Sequence, residues 1–326
     1  MMGWICKICG NQADNDALEM REIMFGIGET FTYFQCGACS CLQIAEVPSD
    51  MARHYPPNYY SFPSSGAEDP EWRRRLRVAR VRSSLEGHRA FDLLLSAVIT
   101  FPTEIRLWMK LLHATQRARI LDVGCGGGNL LRRLAGLGFT SLLGADPFIA
   151  DTVTHPDGVV VRKTPLAGLS GQFDCIMMHH SFEHMPDPHT VLSDVRRLLA
   201  PGGSVLLRIP VCSCEAFRVY GKDWVQIDAP RHFFLHSEKS LRLLAARAGF
   251  DVSDVVYDST GFQFWGSEQN RKGILLSSPR SCAVDPSASM FSSADLAAFE
   301  AKARELNARA DGDQACFVLR ASERPD

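Results

Sequence analysis

From residue 116 onward, apolar positions come in short runs that alternate with longer stretches of helical spacing, the pattern of a parallel sheet covered by helices. Runs at 120–123, 141–145, 159–161, 173–178 and 204–209 predict five buried strands. Between them, Leu130, Leu131, Leu134 and Leu137 fall on one helix face, as do Val191, Leu192, Val195, Leu198 and Leu199 before Pro201-Gly202-Gly203 stops the helix. A helix over 240–248 ends at Gly249 and leads into a strand over 252–257, and 316–319 predicts a last strand. The expected fold is α/β, a doubly wound Rossmann-like seven-stranded sheet. The stretch 266–313, rich in Ser, Ala and charge, predicts a loop with one or two surface helices.

Ahead of residue 116 the pattern differs. Arg73, Arg74, Arg75, Arg77, Arg80 and Arg82 alternate with Trp72, Leu76, Ala79 and Val81 and predict a basic helix. With the apolar stretch 91–112 it is expected to pack on the α/β domain, peripheral membrane contact being a second use. Residues 93–103 are uncharged, but they are about half of the ~20 residues a membrane span requires and contain Pro102, so no span is expected. The aromatic, proline-marked stretch 54–63 reads as a linker whose Tyr59 and Tyr60 could reach a substrate. The expected organisation is a module over 1–48, linker and packing helices over 49–115, a core over 116–265 with an insertion at 210–236, and an extension over 266–326.

The 326 residues are 46% hydrophobic, with 35 Lys and Arg against 37 Asp and Glu. This excludes disorder and gives no bulk attraction to nucleic acid. Met1-Met2-Gly3-Trp4-Ile5-Cys6 lacks the basic and apolar regions of a secretory signal, so a cytoplasmic location is expected.

Five of the eleven cysteines lie in the first 41 residues. Cys6-x-x-Cys9 and Cys36-x-x-Cys39 form two knuckles of the spacing that holds a tetrahedral zinc ion. A segment this small has too little core to fold without metal or disulfide. Two disulfides are disfavoured in a reducing compartment. Cys41 could replace Cys39, although the Cys-x-x-Cys geometry favours Cys39. Four sulfurs leave no open position, so the zinc is expected to be structural.

The segment Asp122-Val123-Gly124-Cys125-Gly126-Gly127-Gly128-Asn129 puts an acid at a strand end and glycines at 124, 126 and 128 directly before a helix. Asp146 closes the next strand, 18 residues past Gly128, where a carboxylate can accept hydrogen bonds from two ribose hydroxyls. A dinucleotide fingerprint beginning at Gly124 would need glycine at 129, which is Asn129, so a different nucleoside is favoured. In order, this loop, Asp146, Phe173-Asp174 with His180-Ser181-Phe182-Glu183-His184, and Leu198-Leu199-Ala200-Pro201-Gly202-Gly203 resemble the class I S-adenosylmethionine-dependent methyltransferases over residues 118–209. The resemblance implies that Asp122, Gly124, Cys125, Gly126 and Gly128 hold the methionine part of S-adenosyl-L-methionine. Asp146 and Pro147 would lie at the ribose, residues 163–166 with Thr164 at the adenine, and His179 at the end of the fourth strand. Relatives often carry an acid near the adenine amine, and Arg162-Lys163-Thr164-Pro165 has none. The double knuckle, with residues 228–232 and 248–250, also resembles a bacterial subgroup of zinc-ribbon methyltransferases often associated with sugar or surface-polysaccharide synthesis.

If the acceptor is a hydroxyl it must lose a proton, and histidine is the natural base near neutral pH. His180 and His184 follow the fourth core strand and His232 lies in the insertion, which makes these three the catalytic candidates. His180, Glu183 and His184 would share a face of a helical turn and could also bind a divalent ion. The insertion sets Tyr220, Trp224 and Arg231 among charged donors, a mixture suited to a sugar ring or nucleotide diphosphate, and Glu183 joins them as a substrate contact. The expected function is methyl transfer to a hydroxyl, or a carbon, of a sugar or similar small molecule in carbohydrate biosynthesis. The alternative is an RNA methyltransferase docking through the zinc ribbon and Arg73 to Arg82.

Overall fold

β1 (Asp16–Arg21), β2 (Thr30–Gln35) and β3 (Leu42–Ile44) bury Met20, Tyr33, Leu42 and Ile44 on one face, with Phe34 buried on the other. The computed structural model describes residues 3–55, 70–96 and 98–323, so Tyr59 and Tyr60 lie outside the described residues. Three helices follow: α1 (Glu71–Glu86), which ends at the left-handed Gly87 (φ +84°), α2 (Arg89–Ser96) and α3 (Thr103–Leu111). The alternating part runs β4 (Arg119–Val123), α4 (Asn129–Gly136), β5 (Ser141–Ala145), β6 (Val153–Thr154), β7 (Val160–Arg162), β8 (Phe173–His179), α5 (Pro188–Leu198) and β9 (Leu199–Pro210). Asp187 caps α5 by accepting from the Thr190 amide at 3.1 Å. Next come α6 (Glu215–Tyr220), β10 (Phe234–Leu235), α7 (Glu238–Arg247), β11 (Phe250–Tyr257), α8 (Phe262–Arg271), α9 (Ser293–Ala308) and β12 (Gln314–Ala321).

The large sheet has the order β11-β12-β9-β8-β4-β5-β7-β6. β9, β8, β4, β5 and β7 are parallel, while β12, β11 and β6 pair antiparallel. It is a mixed Rossmann-like sheet, but with eight strands among the described residues where the sequence predicts seven. The addition is β6, whose two residues are too few to leave an alternation in the sequence. The strand predicted from Ser204 begins at Leu199, and the pairing skips from Phe173 opposite Leu199 to Cys175 opposite Ser204, so residues 200–203 bulge out of the ladder. Strand order reverses between β8 and β4, and in open α/β sheets ligands bind outside the carboxyl ends of the strands at such a point.

β10 belongs to the 210–236 insertion yet pairs with β3 and completes the small sheet, in the order β1-β2-β3-β10. The Arg247 guanidinium donates to the carbonyls of Ile8 and Cys9, and the Ser237 hydroxyl to that of Cys39. The N-terminal module is thereby seated against the insertion and α7.

Candidate active site and four-cysteine cluster

The glycine loop is compact because it must be. Gly124, Gly126 and Gly128 have φ of +70°, +53° and +79°, a region that disfavours side chains. A Cβ at Gly124 would lie 2.4 Å from that of Ser181, and one at Gly128 2.6 Å from the Val161 side chain, whereas one at Gly127 would meet open space. Asp146 fastens the loop, since its carboxylate accepts from the Gly126 amide at 2.9 Å and the Phe148 amide at 2.8 Å. Asp122 is buried beside it. Burial first, and then the negative charge of Asp146, push the Asp122 carboxyl up to about 8. Such a pair is relieved by a cation, and S-adenosylmethionine carries both an ammonium and a sulfonium. The bare loop and the two acids fit that cofactor.

Cys125 is half-buried in the loop and Pro147 is exposed after β5. Thr164 lies beyond β7 and donates its hydroxyl to the Pro165 carbonyl at 3.2 Å. His179 ends β8 with its ring 4.3 Å from that of Trp108 in α3. Both its nitrogens are buried without a partner, and burial, aided by Arg208, holds its pKa well below the usual histidine range.

A short 3-10 turn, Phe182–His184, follows β8. Glu183 is fully buried. Burial alone would raise its pKa, but the neighbouring imidazoles of His180, His184 and His232 outweigh it and hold the carboxyl at about 2. His232 bonds through Nδ1 to the Gln226 carbonyl at 2.7 Å and turns Nε2 toward Asp228 Oδ2 (3.8 Å) and Glu183 Oε1 (4.0 Å). His184 lies edge-on to His232, ring centres 4.7 Å apart, with Nδ1 2.9 Å from the Arg231 carbonyl and 3.3 Å from the Tyr55 hydroxyl. Burial and the adjacent His232 lower its pKa to about 4, so it is neutral at neutral pH.

His180 touches Glu183 but is not in the ligand set with His184 and His232. It sits outside the turn with φ +50°, its Nε2 2.7 Å from Arg208 Nη1 and its Nδ1 3.4 Å from Glu183. Arg208 occupies the lone pair a base would need. The three residues whose ligand atoms converge within 4.8 Å are Glu183, His184 and His232, a set that could take up a proton or a divalent ion. The expected set of His180, Glu183 and His184 is corrected accordingly, because the turn is 3-10 and starts after His180.

Two expected substrate contacts are interior supports. Trp224 is buried and donates its indole N–H to Asp313 at 3.1 Å. Arg231, also buried, bonds Asp228, the Glu22 carboxylate at 2.9 Å and the His54 carbonyl at 3.0 Å. Tyr220 is largely covered, with the Arg271 guanidinium 4.4 Å above its ring. Sequence reasoning missed Glu22, Tyr33 and Asp228 as parts of the site. Tyr33 donates its hydroxyl to the His232 carbonyl at 2.9 Å across 199 residues of chain, and nothing local announces it.

At the module's tip, Cys6 Sγ lies 3.6 Å from Cys39 Sγ and Cys9 Sγ 3.6 Å from Cys36 Sγ, all four within 4.8 Å of one another. A tetrahedron with metal–sulfur bonds of ~2.3 Å has edges of about 3.8 Å, so the set could hold a zinc-sized ion. Cys41 points elsewhere, its Sγ 3.5 Å from the Leu235 carbonyl.

A family profile described as a methyltransferase domain matches residues 100–255. The ubiquinone biosynthesis O-methyltransferase of Bordetella avium is 32% identical over 170 residues, 47% of this chain and 70% of that protein. The chain belongs to the S-adenosylmethionine-dependent methyltransferases. The protein of that name from Pseudomonas aeruginosa is 31% identical to this methyltransferase over 42% of its chain and 66% of its own length. That of Cereibacter sphaeroides is 35% identical over 35% and 50%. Among solved structures, a mycolic acid cyclopropane synthase complexed with SAH and CTAB resembles this methyltransferase with a TM-score of 0.43 and 17% identity, over 66% of this chain and 82% of its own. No helix among the described residues is long and apolar enough to cross a membrane.

Proposed function

We propose that this methyltransferase transfers its methyl group to a hydroxyl oxygen of a small molecule, with His232 as general base. One observation carries the reading: His232 is held through Nδ1 by the Gln226 carbonyl and presents Nε2 to two carboxylates, Asp228 and Glu183. Bound S-adenosylmethionine supplies a methyl group on a positively charged sulfur. Asp122, Asp146 and the loop at 124–128 orient it. His232 accepts the hydroxyl proton at Nε2, and Asp228 and Glu183 stabilise the imidazolium. The relatives' names support an oxygen acceptor and come from ubiquinone biosynthesis. They lend no support to a sugar, and Trp224 and Arg231, which favoured one, are committed to packing. A phenolic small molecule is therefore the preferred acceptor over a nucleotide-sugar.

The test is incubation with methyl-labelled S-adenosylmethionine and two acceptor panels, phenols and nucleotide-sugars, followed by mass analysis for one added CH₂. Label on a phenolic oxygen supports the reading. Label on nitrogen, on carbon or only on RNA overturns it.

A structural zinc ion held by Cys6, Cys9, Cys36 and Cys39 completes the proposal, supported by their spacing and the absence of any disulfide among them. One zinc per chain is expected, lost in Cys39→Ser together with module stability.

A further inference from the structure

Helix α2 is built inside out. It buries Asp92 and Leu95 and exposes Phe91, Leu93 and Leu94 at 48%, 74% and 69%, with Val98 just beyond it at 60%. A helix packed only on its own protein does the reverse. Asp92 can face inward because two cations meet it there: Arg80 Nε at 3.2 Å and Arg106 Nη2 at 3.0 Å. Beside this face, between α1, α2 and α3, lies a crevice of about 660 Å³. Arg80, Arg106, Lys110 and His113 line it against one acid, Asp92. The Ser84 hydroxyl, on a buried residue lining the same crevice, has no hydrogen-bond partner. Charge agrees over a wider scale. Residues 71–117 carry ten Lys and Arg against four acids, in a chain whose totals are 35 against 37.

We infer that this face docks on an anionic phospholipid surface. Phe91, Leu93, Leu94 and Val98 enter the acyl boundary, and Lys110 and the exposed part of Arg106 receive lipid phosphates. Exposed apolar side chains beside a crevice lined by Arg106 and Lys110 match the chemistry of a bilayer rim, where each basic residue near an anionic surface adds to binding. A second copy of the chain would cover the leucines but would bring the same cations against one another.

Sedimentation of the full chain with vesicles provides the test. Binding to phosphatidylcholine mixed with phosphatidylglycerol is expected to be about tenfold or more tighter than to phosphatidylcholine alone, and to weaken with salt. Leu93→Glu combined with Leu94→Glu is expected to lower it about 100-fold, and Arg106→Gln combined with Lys110→Gln about tenfold. Retained S-adenosylmethionine affinity in each variant establishes that it folds. Equal binding to both vesicle types overturns the inference, as does undiminished binding by the double glutamate variant. So do two other results: no vesicle binding by a dimer that the glutamates dissociate, and stabilisation by inorganic phosphate without vesicle binding.

Discussion

Two buried acids, one in β4 and one in the turn after β8, end up in opposite states. Asp122 and Glu183 are both enclosed, so burial pushes each toward its neutral form. Asp122 has another carboxylate, Asp146, for a neighbour and rises to about 8, whereas Glu183 has three histidines and falls to about 2. What differs is the company, not the depth. The cofactor half leaves negative charge for an incoming cation to settle. In the acceptor half Arg231 pairs with Asp228 and Glu22, and imidazoles face Glu183.

The strongest way to break this contrast is to remove the proposed base from the acceptor half. His232→Asn is expected to lower the methyl-transfer rate by about 10²–10⁴-fold while S-adenosylmethionine affinity stays within a few-fold, checked by label transfer and calorimetry. Next comes Arg231→Ala, which strands two buried carboxylates and is expected to cost about 3–5 kcal/mol in denaturant unfolding. Lysine at this position is not expected to rescue it, because the fork that reaches Asp228, Glu22 and the His54 carbonyl is lost. In the cofactor half, Asp146→Asn removes a charged acceptor and is expected to weaken cofactor binding by about 1.5–3 kcal/mol, tenfold or more.

The smallest effect sharpens the contrast through pH. Asp122 holds its proton more tightly folded than unfolded, so the cofactor-free protein should lose stability as pH rises through the window from 3.8 to about 8. His184, whose pKa falls from 6.5 to about 4 on folding, acts in the other direction: its contribution is lost as pH falls through that range. The two oppose each other below pH 6.5, and above it His184 no longer offsets the Asp122 loss in thermal melts. Asp122→Asn or bound S-adenosylmethionine should flatten that slope. A slope unchanged in the variant would assign it to another group.

The cofactor half was legible in the sequence because its parts are contiguous: an acid and four glycines within seven residues, then one acid at the end of the next strand. Backbone requirements write themselves into glycine positions. The acceptor half is assembled by contacts spanning up to 209 residues, Arg231 to Glu22, and Glu22 has no spacing or motif to mark it. His180 misled for a related reason, since helical spacing places it with Glu183 and His184 while a left-handed residue and a 3-10 turn divide them. The aromatic insertion read as a surface for ligands, but composition does not tell a lid from a strut. Trp224 is the strut, tied to Asp313.

Strand β10 leaves the α/β core to finish the N-terminal sheet, and Tyr33 reaches from that sheet to the peptide of His232. The cysteine module is thus tied to the residue proposed as the base and is not an appendage beside the core. A fragment trimmed to the residues that match other methyltransferases would keep the glycine loop and Asp146 while losing Glu22 and Tyr33, and with them contacts that hold the proposed proton acceptor. Shortening this enzyme from its front should abolish turnover before it abolishes cofactor capture.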